Sequence, residues 1–270
     1  MAFNRLGGLF VFIILCLSAC VLLVLKSRSE EPKIPIVPPP EPTIVIKEKT
    51  RGHIIIIIDD FGYRNDEVSE GFLSIDADLT FAVIPGHKNS KLFTKKADES
   101  GYEVIIHMPM ESTANTHGEV EYILTESMTS NQIEQRVEKV IFELPEAVGL
   151  NNHQGSKATS DKRIMNIVSN VLKRHGKYFI DSRTTSQTVA EDIMRLRGVP
   201  TARRHVFLDN ANDIKKIREQ LYKLVNKAEA NGEAIGIGHA KKLTLQVLKE
   251  EIPKLKKNGF TFKFASFTVK

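Results

Sequence analysis

Ile54-Ile55-Ile56-Ile57-Ile58-Asp59-Asp60-Phe61-Gly62 sets five β-branched residues directly before two carboxylates. An unbroken isoleucine run has no polar face. It reads as a strand buried on both sides, as in a parallel sheet covered by helices. Working outward, further strands are expected at Leu79 to Ile84, Glu103 to Ile106, Ala147 to Leu150, Tyr178 to Ile180, His205 to Leu208, Ala234 to Ile237 and Phe260 to Phe264. Helices are expected between them. Thr129 with Gln132 and Thr188 with Glu191 read as capping boxes, and Asp209 or Asn210 as the cap of a helix from Ala211 to Ala230. Alternating strand and helix argues a parallel α/β sheet, either closed into a barrel or open.

The polar residues follow one rule. Asp59-Asp60 ends the first strand, His107 the third, Asn151-Asn152-His153 the fourth, Asp181-Ser182-Arg183 the fifth, Asp209-Asn210 the sixth and His239 the seventh. In parallel α/β folds the carboxyl ends of the strands form one rim, where ligands bind.

The rest of the composition excludes several classes. Both cysteines, Cys16 and Cys20, lie in the N-terminal apolar segment, so the folded part has no disulfide framework, cysteine-ligated zinc or cysteine nucleophile. The net charge of +5 is spread over lysines interleaved with acidic residues. The dense run from Lys254 to Lys257 has no aromatic neighbours and reads as a solvated helix face, so no nucleic-acid partner is expected. Leu6 to Leu25 carries no charge and is long enough to span a bilayer. Residues 1–26 therefore read as an uncleaved transmembrane signal anchor. Leu17-Ser18-Ala19-Cys20 resembles a lipobox, but the apolar run continues past the cysteine. Six of the eleven prolines fall between Pro32 and Pro42. Residues 27–51 read as a semi-rigid linker, and residues 52–270 as one globular domain held outside the cytoplasmic membrane.

Each rim group has a chemical reading and a structural one. Paired carboxylates at a strand end divide labour between holding a metal and taking a proton from water, or else cap a turn. His107 and Glu111 offer imidazole and carboxylate to Zn²⁺ or a related ion. A lone strand-end histidine is otherwise a hydrogen-bonded structural residue. The amides of Asn151 and Asn152 suit sugar hydroxyls, or their own turn. His153 completes a metal triad with Asp60 and His107. His239, among small neighbours, suits a general acid near neutral pH. His87 and His117 stand in loops and receive no role.

Taken in order, Ile57-Ile58-Asp59-Asp60-Phe61-Gly62, His107-Met108-Pro109-Met110-Glu111, Gly149-Leu150-Asn151-Asn152-His153-Gln154-Gly155-Ser156, Phe179-Ile180-Asp181-Ser182-Arg183-Thr184, Val206-Phe207-Leu208-Asp209-Asn210 and Gly236-Ile237-Gly238-His239 resemble the successive motifs of the divergent polysaccharide deacetylase family. The resemblance covers residues 52 to 270. It implies a distorted (β/α) barrel of about seven parallel strands. It also implies that Asp59 acts as base, Asp60 and His107 as metal ligands, and His239 as acid. Where the wider superfamily has a second histidine one turn after the first, this chain has Glu111, and its Arg-x-Pro-Tyr motif is missing.

The expected protein is a membrane-anchored, periplasmic or otherwise extracytoplasmic deacetylase with a divalent metal, Zn²⁺, at Asp60, His107 and His153. Glu111, Asn151, Asn152, Asp181, Arg183 and Asp209 would contact an acylated envelope polysaccharide or peptidoglycan. A catalytically silent glycan- or partner-binding domain is the alternative.

Overall fold

A computed structural model describes residues 50–114 and 118–270. The expected anchor, all of the linker before Thr50, and His117 lie outside the described residues. Among the described residues no helix is long and apolar enough to cross a membrane.

Among the described residues nine strands form one parallel sheet: β1 (Gly52–Phe61), β2 (Thr80–Val83), β3 (Glu103–Met110), β4 (Gly149–Gln154), β5 (Tyr178–Asp181), β6 (Thr201–Arg203), β7 (Val206–Phe207), β8 (Glu233–His239) and β9 (Phe260–Lys263). Their order is β6-β5-β4-β3-β2-β1-β8-β7, and β9 also pairs with β1. Strand β1 is central. It pairs with β8 from His53 to Asp59, with β9 over Gly52 to Ile55, and with β2 beyond Ile57. Among the described residues seven α-helices separate the strands: α1 (Glu67–Phe72), α2 (Ser90–Glu99), α3 (Ser130–Glu143), α4 (Lys162–Arg174), α5 (Ala190–Arg197), α6 (Ile214–Asn231) and α7 (Lys242–Lys257).

The isoleucine run shows how the sheet is covered. Successive side chains of a strand point to opposite faces. Ile54, Ile56 and Ile58 pack outward beneath the helices. Ile55 and Ile57 point inward and meet Ile105, Tyr178, Ile180, Ile235 and Ile237. Strands as far apart in the order as β5 and β8 thus share one inner cluster, so the sheet curls into a barrel. The barrel is open, because among the described residues no ladder joins β6 to β7. All five isoleucines are fully buried, at about 1.5–3 kcal/mol each. The C-terminal segment closes the amino-terminal end of the barrel. Ala265 N donates to Thr80 Oγ1, Thr268 Oγ1 to Glu233, and Thr201 N to the Lys270 carbonyl.

Two helix starts differ from the sequence reading. The capping box at Thr129 is present, with both reciprocal hydrogen bonds. The one at Thr188 is not. Helix α5 starts after Val189 without a side-chain cap, and the Thr188 hydroxyl instead reaches Asp181 Oδ2 at 2.9 Å. Helix α6 begins at Ile214 under Asp213, because Asp209 is already engaged by His239 and Thr244. Strand β6 had no sequence signal. Thr201-Ala202-Arg203 has no apolar run and borrows its order from β5.

Candidate metal centre

Side-chain parity carries the inner face of the barrel up to the rim. On β1 the inward series is Ile55, Ile57, Asp59, and on β3 it is Ile105, His107. On β8 it is Ile235, Ile237, His239, and on β4 Asn151 and His153 follow Gly149. Four strands therefore end in five polar inward positions.

Asp60 does not follow this parity. It should point away from the barrel, yet its carboxylate lies among the inward groups. The β1–β2 register slips between Ile58 and Phe61, and Asp60 has φ +69°, in the left-handed region. A bulge of this kind re-aims a side chain beside a site. Gly62 completes the turn with φ +113°, where an added Cβ would lie 2.9 Å from the Ile84 carbonyl oxygen. Among the described residues the non-glycine positions with positive φ are Asp60, Glu119, Gln154 and Arg183, all in rim loops or strand ends. Backbone strain concentrated there is characteristic of functional sites.

Asp60 Oδ1, His107 Nε2 and His153 Nδ1 form a triangle with sides of 3.4, 3.3 and 3.0 Å. Zinc held at about 2.0–2.1 Å by N and O donors in tetrahedral array spaces its ligands about 3.3 Å apart. Asp60 Oδ1 is buried and no donor reaches it in hydrogen-bonding geometry. An orphaned buried carboxylate oxygen facing two imidazole nitrogens fits a divalent cation. Asp60, His107 and His153 are also a compact ligand group on distance alone.

Hydrogen bonds determine which nitrogen of His107 is available. An ionised carboxylate only accepts, so Asn151 must present its NH₂ to Asp59 Oδ1, at 2.9 Å. Its carbonyl oxygen then accepts from His107 Nδ1 at 2.7 Å. That places the proton on Nδ1 and turns the Nε2 lone pair toward the triangle. Second-sphere acceptors commonly fix metal-ligating histidines in this way. Burial alone would keep the His107 imidazole neutral, but without a metal Asp59 and Asp60 override it and push its pKa up to about 9. Burial also opposes the Asp60 charge, yet His107 and His153 hold that carboxylate far below its usual range.

Asp59 and His239 flank the triangle. Asp59 is 3% exposed, and its Oδ2 lies 3.5 Å from His107 Nε2. Burial raises its pKa, with His107, His239 and the Asn151 amide opposing. It pairs in register with His239 on β8. His239 Nδ1 donates to Asp209 Oδ1 at 2.8 Å, leaving Nε2 toward the site, 3.9 Å from Asp60 Oδ2. Burial disfavours the imidazolium, but the Asp209 hydrogen bond and charge prevail and the pKa is raised.

The remaining candidates separate into two groups. Asn152 accepts from Ser182 N and donates to the Gln154 carbonyl. Asp181 accepts from Arg183 N and Thr188 Oγ1. Asp209 also takes the His239 N–H and the Thr244 hydroxyl. These buried groups, with Asn151, spend their polar atoms on protein and build the rim. Glu111 is paired with Lys157 at 2.8 Å and accepts from Glu126 N. The Arg183 guanidinium is half-buried at the rim, where its charge acts on Asp181 without an ion pair or hydrogen bond among the described residues. Glu119 and Tyr63 carry no sequence signal, and His87 stands in a loop to which the sequence gives no role. Glu119 follows Gly118 in a loop without a motif, and only its three-dimensional neighbours identify it.

Residues 56–269 match the family model described as divergent polysaccharide deacetylase. The uncharacterized protein YibQ of Escherichia coli is 36% identical over 201 residues, covering 74% of this chain. This chain spans 62% of that relative's length. An uncharacterized protein of Haemophilus influenzae is 32% identical over 196 residues, covering 73% of this chain and 69% of its own. The fold resembles the crystal structure of the uncharacterized protein ATU2773 from Agrobacterium tumefaciens. That match has a TM-score of 0.76 at 16% identity and covers 82% of this chain and 90% of the other.

Proposed function

The chain belongs to the divergent polysaccharide deacetylase family, and from that premise we propose that it is a metal-dependent hydrolase removing an acyl group from an envelope polysaccharide or peptidoglycan. One observation carries the reading. Asp60 Oδ1, His107 Nε2 and His153 Nδ1 converge on one point, with a buried carboxylate, Asp59, on one side and a carboxylate-held imidazole, His239, on the other.

Asp60, His107 and His153 would hold the divalent ion, Zn²⁺ by the chemistry of two imidazoles and one carboxylate. When bound, it supplies Lewis acidity toward the acyl carbonyl and toward water. Asp59 takes the proton of the attacking water, a role suited to a carboxylate whose proton affinity burial has raised. His239, whose protonated form the Asp209 hydrogen bond and charge favour, donates its Nε2 proton to the departing amine or alkoxide. The acyl carbon–heteroatom bond breaks as the carbon–oxygen bond to water forms, and the products are a carboxylate and a free amine or hydroxyl. Asn151 holds the base and the first imidazole in fixed relation. Arg183, with its half-buried guanidinium at the rim, contacts the glycan.

The same reading places the domain outside the cytoplasmic membrane, tethered by residues 1–26 through the proline-rich linker. Zinc-loaded protein would be screened against N-acetylated and O-acetylated oligosaccharides and peptidoglycan fragments, with mass-spectrometric detection. Loss of one acyl group from any of them, absent in Asp59→Asn, is the expected result. Zinc bound without any acyl loss would favour the glycan-binding alternative.

A further inference from the structure

Three loops with no part in the reaction above converge beside His153. Tyr63 comes from the β1–α1 loop, His87 from the β2–α2 loop and Glu119 from the β3–α3 loop. The Glu119 side chain is 4% exposed, an unusual position for a loop glutamate. Its backbone has φ +41°, strained for a non-glycine residue, and the turn sends Val120 outward at 80% exposure while Glu119 points in. Oε1 accepts from Tyr63 Oη at 2.5 Å and pairs with His87 Nε2 at 3.0 Å. The Tyr63 and His87 rings also pack together, with centroids 4.2 Å apart. The other oxygen, Oε2, faces His153 Nε2 at 4.0 Å.

His153 lacks the support that Asn151 gives His107. With Nδ1 facing the triangle, binding a cation there requires the proton to sit on Nε2, where it needs an acceptor. Among the described residues Gln154 and Glu119 have side chains near Nε2. Gln154 places its amide nitrogen 3.3 Å away, and that group is a donor. Glu119 Oε2, a carboxylate oxygen that only accepts, lies 4.0 Å away, a small side-chain shift from hydrogen-bonding distance. Tyr63 and His87 both engage Oε1, which leaves Oε2 of the same buried carboxylate turned toward His153 Nε2.

We propose that Glu119 is the positioning residue of His153: its carboxylate accepts the Nε2–H and so fixes the tautomer that leaves Nδ1 free for the divalent cation. Tyr63 and His87 hold the carboxylate in place. The two imidazoles are then oriented by different partners, His107 by an amide and His153 by a carboxylate. The inference rests on the metal-centre reading above.

The test uses the full-length chain in detergent, stripped of metal and titrated with zinc against a competing chelator. The same protein with ¹⁵N-labelled histidine reports by NMR which ring nitrogen carries the proton. Removing an outer partner of a metal-bound histidine typically weakens affinity about 10–100-fold. Glu119→Ala should do so, and Glu119→Gln, which keeps an acceptor oxygen, should lose less. Zinc-loaded wild type should show His153 protonated at Nε2. If Glu119→Ala fails to fold, the Nε2–H of His153 in zinc-loaded wild type still tests the proposal: a hydrogen-bonded, exchange-protected proton is expected, and a freely exchanging one overturns it. Unchanged zinc affinity in a folded Glu119→Ala overturns the proposal and leaves the metal centre standing, whereas a His153 proton on Nδ1 in the zinc form overturns both. A loss on Gln154→Ala but not on Glu119→Ala overturns the proposal too. Wild type that binds no zinc overturns both.

Discussion

Asn151→Asp changes one polar group of a fully buried side chain and almost no volume. Asn151 donates to Asp59 Oδ1 at 2.9 Å and accepts from His107 Nδ1 at 2.7 Å. The substitution keeps the acceptor for His107 and replaces the donor to Asp59 by a second carboxylate. Two buried carboxylate oxygens at that distance are compatible only with a proton between them. Holding a proton at pH 7 on a carboxyl whose ordinary pKa is 3.8 costs about 4 kcal/mol, or about 1.4 kcal/mol per pH unit. The nearby His107 cation offsets part of this, giving a deficit of about 2–4 kcal/mol at pH 7. The sign follows from linkage. The folded pKa of the pair is raised, so the native state carries a proton that the unfolded chain lacks, and stability falls as pH rises. The deficit is therefore largest at neutral pH, shrinks by about 1.4 kcal/mol per unit on acidification and closes near the ordinary carboxyl pKa. Urea denaturation of metal-free wild type and variant at pH 5, 6 and 7 measures it. A difference below about 0.5 kcal/mol at pH 7, or one that grows on acidification, would refute the assigned hydrogen-bond directions.

Asp59→Asn should retain zinc while acyl-transfer turnover falls by about 10²- to 10⁴-fold; zinc loss would move Asp59 among the ligands. His107 without metal has a pKa of about 9, so zinc binding at pH 7 must displace its proton. Calorimetric titration in buffers of different ionisation enthalpy should show about one proton released, with apparent affinity falling as pH drops; no release would contradict the ligand assignment. A fragment starting at Thr50 should be soluble and give the circular dichroism of a folded α/β domain, since β1 begins at Gly52 and its core lies within the described residues. A random-coil spectrum would show that earlier residues are needed.

Much of the rim was legible from residue order. Asp59, His107 and His239 each end an apolar strand, and His153 lies on β4, all at an inward parity, so periodicity and a parallel sheet bring them together without knowledge of side-chain geometry. Asp60 was legible as a residue but not as a direction, because only the bulge and the left-handed backbone turn it inward. Asn151 and Asn152 read as sugar-binding amides, and burial shows them bonded to protein instead. The distinction depends on packing that no local pattern encodes. Asp209 read equally as a helix cap, until its two oxygens proved to be shared among His239 and Thr244. Strand β6 was invisible because its order comes from β5 and the chain terminus rather than from its own residues.

The central claim is that Asp60, His107 and His153 form one divalent-metal site. Metal-stripped wild type and His153→Ala would each be titrated with zinc, and bound metal counted by elemental analysis after desalting. The expected result is one equivalent of zinc on the wild type and almost none on the variant, since two protein ligands rarely retain Zn²⁺. Equal zinc in both proteins, or none in either, would contradict it.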